Sequence, residues 1–197
     1  MAVIKQATRA QLNLFGAPSA LPDGFRYAAH LLSQDEEADL ADAFRELPFK
    51  EFEFQGFLGK RRVVSFGWKY DFNTRDLQRT DDIPAVLLPV RTKAARFAGM
   101  DPASLQQVLL TEYRPGASIG WHKDKAVFGE VVGISLLSRC VFRFRRKAGS
   151  TWQRASLTLE PRSAYLLKGP SRTEWEHSIP GVDSLRYSIT FRNFKDG

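Results

Sequence analysis

Hydrophobic and polar positions change period along the chain, and the changes divide it. Residues 1 to about 20 hold no sustained period: mixed polar residues, one short apolar cluster, then Gly16-Ala17-Pro18-Ser19, which reads as a flexible tail. The body starts near Leu21 and runs to 197 as one unit. Ser33-Gln34-Asp35-Glu36 is a capping box, with Ser33 as N-cap and Glu36 able to bond back to it. Leu40, Phe44 and Leu47 follow at helical spacing until Pro48, so this helix is expected to lay an apolar stripe on a sheet. A second helix is predicted from about Pro84 to Phe97, closing at Gly99, with Pro89 early enough to be accommodated. Between them, Glu51 to Phe72 alternates aromatic and polar residues around three glycines, as hairpins do.

From Leu105 onward the period is mostly two. Candidate strands are 105–113, 131–137, 140–146, 152–159, 164–168, 175–179 and 185–194. Many short strands parted by turn residues predict a sandwich or barrel. The expected class is α+β, mainly β: an antiparallel jelly roll (a double-stranded β-helix) with N-terminal helices supporting one face. No internal repeat or low-complexity tract interrupts it.

Composition narrows the partners more than the fold. A chain of 197 residues can bury one core and does not require a second domain. Apolar stretches such as Val131-Val132-Gly133-Ile134-Ser135-Leu136-Leu137 are too short to cross a bilayer. The first residues lack the apolar core and cleavage site of a signal peptide, and the single Cys140 excludes an internal disulfide framework. A cytoplasmic monomer away from membranes is therefore expected. The net charge of +7 favours phosphate-rich partners, and it is clustered in Lys60-Arg61-Arg62, in Lys123 with Lys125, and in Arg143-Arg145-Arg146-Lys147.

The chemistry lies in the histidines. Of three in the chain, His122 stands two residues before Asp124, and His177 follows far downstream. Two imidazoles and one carboxylate with coordination positions left open form the facial triad of non-haem Fe(II) oxygenases. On an extended strand, residues i and i+2 share a side, so His122 and Asp124 are expected to face one ion while Lys123 points away. Arg186 and Arg192 share one face of a later strand, with Tyr187, Ile189 and Phe191 on the other. About 20 Å apart by their spacing, two such planar forks suit the bracketing of a small dianion.

The stretch from about Leu110 to Phe194 resembles the AlkB family of Fe(II)/2-oxoglutarate-dependent dioxygenases, which remove alkyl lesions from nucleic-acid bases. The residues carrying the resemblance are Thr111-Glu112-Tyr113-Arg114-Pro115-Gly116, His122 with Asp124, His177, and Arg186-Tyr187-Ser188-Ile189-Thr190-Phe191-Arg192. Thr111 and Ser188 stand where the family pattern has asparagine. Ala126 stands where some members carry an acidic residue near the flipped base, which bears on base preference. The resemblance implies that His122, Asp124 and His177 bind Fe(II) and carry catalysis. It implies that Arg186 and Tyr113 hold the distal carboxylate of 2-oxoglutarate, and that Arg192 lies near its metal-binding end or near Asp124. With O2 as the second cosubstrate, the family oxidatively decarboxylates 2-oxoglutarate and hydroxylates an N-alkyl carbon, which leaves as an aldehyde. The implied substrate is alkylated DNA, extending to RNA. The alternatives are a hydroxylase or demethylase of a protein or small molecule on the same fold, and a nucleic-acid-binding module without catalysis.

An alkylated base must leave its stack to meet the iron, so stacking surfaces and phosphate contacts are needed. The segment from about 50 to 75 corresponds to the family's nucleotide lid. Trp68 and Tyr70 are expected to line the substrate entrance, with Arg62, Lys125 and Arg172 near phosphates. In the tail, Gln11-Leu12-Asn13-Leu14-Phe15 resembles the peptide by which bacterial polymerases and repair proteins dock on the DNA sliding clamp. There Leu12, Leu14 and Phe15 would anchor while Gln11 sets register.

Overall fold

An extended β1 (Phe25–Ala28) leads into α1 (Gln34–Arg45), whose start is fixed by the capping box. The Glu36 N–H donates to Ser33 Oγ, and the Ser33 N–H donates to the Glu36 carboxylate. Next come β2 (Lys50–Phe54), β3 (Phe57–Phe66), β4 (Trp68–Tyr70), β5 (Leu77–Arg79) and α2 (Leu88–Ala98). The remaining elements are β6 (Gln107–Tyr113), β7 (Ile119–His122), β8 (Phe128–Leu136), β9 (Cys140–Ala148), β10 (Thr151–Leu159), β11 (Ala164–Leu167), α3 (Pro170–Thr173), β12 (Glu176–Ile179) and β13 (Arg186–Phe194). This computed structural model describes residues 20–54, 57–70 and 76–195, so the tail motif of Gln11, Leu12, Leu14 and Phe15 lies outside the described residues. Among the described residues, no helix is long and apolar enough to cross a membrane.

Two antiparallel sheets face each other. The larger has the order β1-β11-β8-β13-β6-β3-β2 and the smaller β10-β9-β12-β7. The period-two alternation of β13 decides what each layer holds. Tyr187, Ile189 and Phe191 join Leu40 and Phe44 of α1 and Val90, Ala94 and Ala95 of α2 in a core on the helical side. Phe44 meets the Tyr187 ring edge-on, with centroids 5.4 Å apart. Arg186, Ser188, Thr190 and Arg192 share the other face of the strand, yet all four are buried. A second core containing Tyr113, Phe142, Phe144, Tyr165 and Ile179 fills the space between the sheets. The jelly roll therefore encloses cationic and hydroxyl groups in its interior, which is costly unless something there needs them.

The expected elements are present with displaced ends. The second helix opens with a 3-10 turn at Ala85–Leu87, keeps Pro89 in its first turn, and closes on Gly99 at φ 75°. The strand predicted from 105 starts at Gln107, because Asp101 caps a turn at Pro102–Ser104. β1, β5 and β7 were not among the predicted strands. Two glycines are required by close approach. A Cβ on Gly67 would stand 2.2 Å from the Gln106 carbonyl oxygen, and one on Gly133 would stand 2.1 Å from the Tyr165 ring. Gly133 thus allows Tyr165 to lie against β8, directly across the β11–β8 ladder.

Candidate metal centre and cosubstrate pocket

β7 and β12 are antiparallel neighbours, and their register sets His122 directly opposite His177. The ring centroids are 4.3 Å apart. Asp124 joins them from a different element. β7 ends at His122, and Asp124 lies in the loop that leads to β8. The two side chains converge because the chain turns off the strand, not because the strand continues, which corrects the simple i, i+2 expectation. One ligand atom from each of His122, Asp124 and His177 lies within 4.8 Å of the others.

Protonation suits a metal. Burial lowers the His122 pKa even though Asp124 opposes it. Burial, with His122 second, lowers that of His177 to about 3. Both rings are therefore neutral at ordinary pH, the form that ligates. The 3.6 Å approach of His177 Nε2 to Asp124 Oδ2 is thus a meeting of two donors to a common ion rather than an ion pair. His122 Nδ1 stands 2.9 Å from the Gly120 carbonyl oxygen, which can only accept, so Nδ1 carries the proton and Nε2 is free. Burial works against ionisation of Asp124. Arg192 outweighs it and holds the carboxyl well below the usual carboxylate range.

Arg192 is fully committed to this task. Its Nε and Nη2 reach Asp124 Oδ1 at 2.8 and 2.6 Å, and its Nη1 donates to Gln107 Oε1 at 2.8 Å. The bracketing of a dianion between two free arginines is therefore not what the interior holds. A buried Asp124 needs a counter-charge, and Arg192 supplies it. Gln107 was not singled out in the sequence, although a polar residue heading an otherwise apolar strand was a usable signal.

Arg186 is the opposite case. It is fully buried, and only its Nε is engaged, donating to Ser135 Oγ at 3.0 Å. Nη1 and Nη2 have no hydrogen-bond partner among the described residues. The guanidinium stands over the Tyr113 ring at 4.9 Å, and Tyr113 is also its cross-strand neighbour. A buried cation with two idle donors is strongly unfavourable alone, and a carboxylate accepting both in parallel would resolve it. The donor set and this half-engaged fork fit a divalent metal with a dicarboxylic cosubstrate.

The expected phosphate contacts fare differently. Arg62 faces away from the pocket and forks onto Glu112 across the β3–β6 ladder, at 2.8 and 2.7 Å. Its charge is spent on Glu112, where the effect of burial is outweighed by Arg62 and Arg114. Arg172 is buried and donates to the carbonyls of Asp124, Lys125, Phe128 and Gly129. It is a strut for the loop that carries Asp124, not a phosphate ligand. Lys125 stays exposed, with its ammonium 4.8 Å over the Tyr70 ring, so these two do meet beside the Asp124 loop. Trp68 lines a surface cavity of about 320 Å³ with Gly67, Arg79, Ile83, Arg91 and Gln106. Its ring also meets Phe194 edge-on, and Phe194 stacks on Phe128 beneath Arg192. Arg61, not singled out from the sequence, faces inward because its neighbour faces outward. It stacks on Phe52 at 3.8 Å and its charge bears on His122.

Arg172→Lys keeps the charge but loses the fork, leaving several loop carbonyls unsatisfied. Iron affinity is expected to fall about 10- to 100-fold, as for outer partners of metal ligands. Titration of the iron-free protein with Fe(II) checks this; unchanged affinity would contradict the strut role.

Comparison with known proteins agrees with this geometry. Residues 24–192 match the family described as the 2OG-Fe(II) oxygenase superfamily. The "Alkylated DNA repair protein ALKBH8 homolog" of Arabidopsis thaliana is 30% identical over 162 residues, covering 69% of this chain and 47% of that protein. The mouse (Mus musculus) "tRNA (carboxymethyluridine(34)-5-O)-methyltransferase ALKBH8" is 28% identical over 181 residues, covering 88% of this chain and 27% of that one. The chain thus spans about half, or less, of the length of these two relatives. "The structure of OsALKBH1" superposes with a TM-score of 0.69 at 18% identity, covering 88% of this chain and 98% of that one, a likeness of fold. The chain belongs to the 2OG-Fe(II) oxygenase superfamily, in its AlkB-like branch, whose cofactors are Fe(II), 2-oxoglutarate and O2.

Proposed function

We propose that this dioxygenase oxidises an alkyl group on a nucleobase of DNA or RNA, so that the group leaves as an aldehyde and the base is restored. The observation that carries the proposal is the His122–Asp124–His177 cluster in one interior with the half-engaged guanidinium of Arg186. Nucleic acid as the substrate class is supported by the net charge of +7 and by the Lys125–Tyr70 pair beside the Asp124 loop. The names of the Arabidopsis and mouse relatives, one a DNA repair protein and one a tRNA enzyme, point the same way.

In this proposal His122 Nε2, Asp124 and His177 would hold the iron, and Arg186 with Tyr113 would hold the distal carboxylate of 2-oxoglutarate. When bound, these groups supply a two-electron oxidation of a C–H bond by O2, coupled to conversion of 2-oxoglutarate to succinate and CO2. The chain's own residues position and exclude. Gly120 fixes the His122 tautomer, Arg192 keeps Asp124 ionised and aimed, and Phe142, Tyr165 and Ile179 keep water from the interior. Once an N-alkyl carbon carries a hydroxyl group, the C–N bond breaks, the nitrogen gains the proton, and the carbon departs as the aldehyde.

The decisive measurement is formaldehyde release from oligonucleotides carrying 1-methyladenine or 3-methylcytosine. Single-stranded DNA, duplex DNA and RNA provide the separate arms. Turnover of 2-oxoglutarate is expected to rise with at least one methylated strand and not with its unmodified counterpart. An iron-loaded preparation that consumes 2-oxoglutarate but responds to none of them would move the assignment to a hydroxylase of protein or small molecules.

A further inference from the structure

The smaller sheet turns one face to the core and the other away from it. On β9, Phe142 and Phe144 point inward while Arg143, Arg145 and Lys147 alternate outward. The β9–β10 register sets Ser156, Arg154 and Trp152 opposite those three cations in turn. The β9–β12 register sets Ser178 and Glu176 opposite Arg143 and Arg145. Trp121, on β7 immediately before His122, completes the same outer face.

Cations and indoles interleave there. The Arg145 guanidinium stands 4.6 Å from the Trp121 ring and 4.5 Å from the Trp152 ring, so one charge lies between two tryptophans. Arg143 stands 5.0 Å from the same Trp121 ring. Glu176 is the one carboxylate that the described registers bring to this face, and it is bound to Arg145. Arg143, Lys147 and Arg154 add positive charge to a surface that leaves Trp152 43% exposed. A merely solvated strand face accounts for the cations but not for the indoles, since a wet tryptophan forgoes a large burial term.

We propose that this face binds a single-stranded stretch of nucleic acid, with a base stacking on Trp152 and phosphates meeting Arg143, Lys147 and Arg154. A flat aromatic platform among cations suits an unpaired strand, whose bases expose their faces, better than a duplex, whose bases are already stacked. The surface lies outside the metal pocket and ends on the strand that carries His122. A strand held there would lie beside the strand that carries His122 and so raise the local concentration of target bases. The purpose of the surface rests on the nucleobase assignment of the pocket; its binding chemistry does not.

The test is equilibrium binding of unmodified twelve-nucleotide single strands, DNA and RNA, to the full chain across a salt series. In the Lys147→Glu/Arg154→Glu variant, affinity is expected to fall tenfold or more. The slope of log K against log salt should drop by about 1.4, or about 0.7 for each phosphate no longer neutralised. Trp152→Ala should weaken binding about tenfold through lost stacking while leaving that slope in place. Both variants should melt as the wild type does and retain its basal 2-oxoglutarate decay. Wild-type affinity in both variants overturns the proposal. So does competition by polyphosphate as strong, charge for charge, as by the oligonucleotide. These readouts need no modified base, so failure of every methylated substrate would sink the pocket assignment and leave this surface standing.

Discussion

His122→Ala is expected to eliminate 2-oxoglutarate turnover and iron retention while leaving the fold intact. The ring is one of three donors within 4.8 Å of one another, and with it gone only Asp124 and His177 remain for the ion. Loss of a ligand should exceed the roughly 10- to 100-fold cost of losing an outer partner. Stability should suffer little, less than about 2 kcal/mol, because the ring sits at the end of β7 with one local bond to Gly120. Asp124→Ala removes the same metal but strands Arg192, which is buried, and should destabilise by about 3–5 kcal/mol. Bound iron per chain, succinate formation and urea melting separate the two. A His122→Ala protein that keeps a full complement of iron and normal turnover would refute the centre.

Arg186→Met should separate stability from function in the opposite sense. The wild-type guanidinium is fully buried and its Nη1 and Nη2 have no protein partner among the described residues, so unless a carboxylate is bound its charge is a liability that methionine lacks. Replacing such buried charge with an apolar side chain is neutral or stabilising by about 1–4 kcal/mol. The same change removes the fork that a carboxylate would occupy. Affinity for 2-oxoglutarate should fall by about 2–5 kcal/mol, roughly 30-fold or more. Thermal melts carry both signs at once. Wild type should gain about 2.7 kcal/mol at a hundredfold excess of 2-oxoglutarate over its Kd, whereas the variant should melt higher alone and gain about 0.9 kcal/mol or less at the same concentration. A variant that is less stable alone and still responds as wild type does would show that Arg186 has a protein partner instead.

The strands after residue 105 other than β7, the capping box of α1 and the Gly99 stop of α2 were legible because period and capping act locally. The gathering of His122, Asp124 and His177 was legible from their chemistry, although the element holding Asp124 was not. That division depends on where β7 ends, and no local pattern marks it. The fates of the arginines were hidden for a related reason. Arg62 and Arg172 carry the same charge in the sequence as any phosphate ligand. Only the β3–β6 register reveals Glu112 across from Arg62, and only the packing of α3 against the Asp124 loop turns Arg172 into a strut. Neighbouring Arg61 and Arg62 look interchangeable until alternation sends them to opposite sides of one sheet.

Main-chain pairing of β7 with β12 sets His122 opposite His177. The backbone register of that ladder, and not the side chains alone, sets how far apart the two imidazoles stand. A slip of one residue between these strands would turn one imidazole to the opposite face, so the donor set depends on strand pairing as much as on the identity of its ligands.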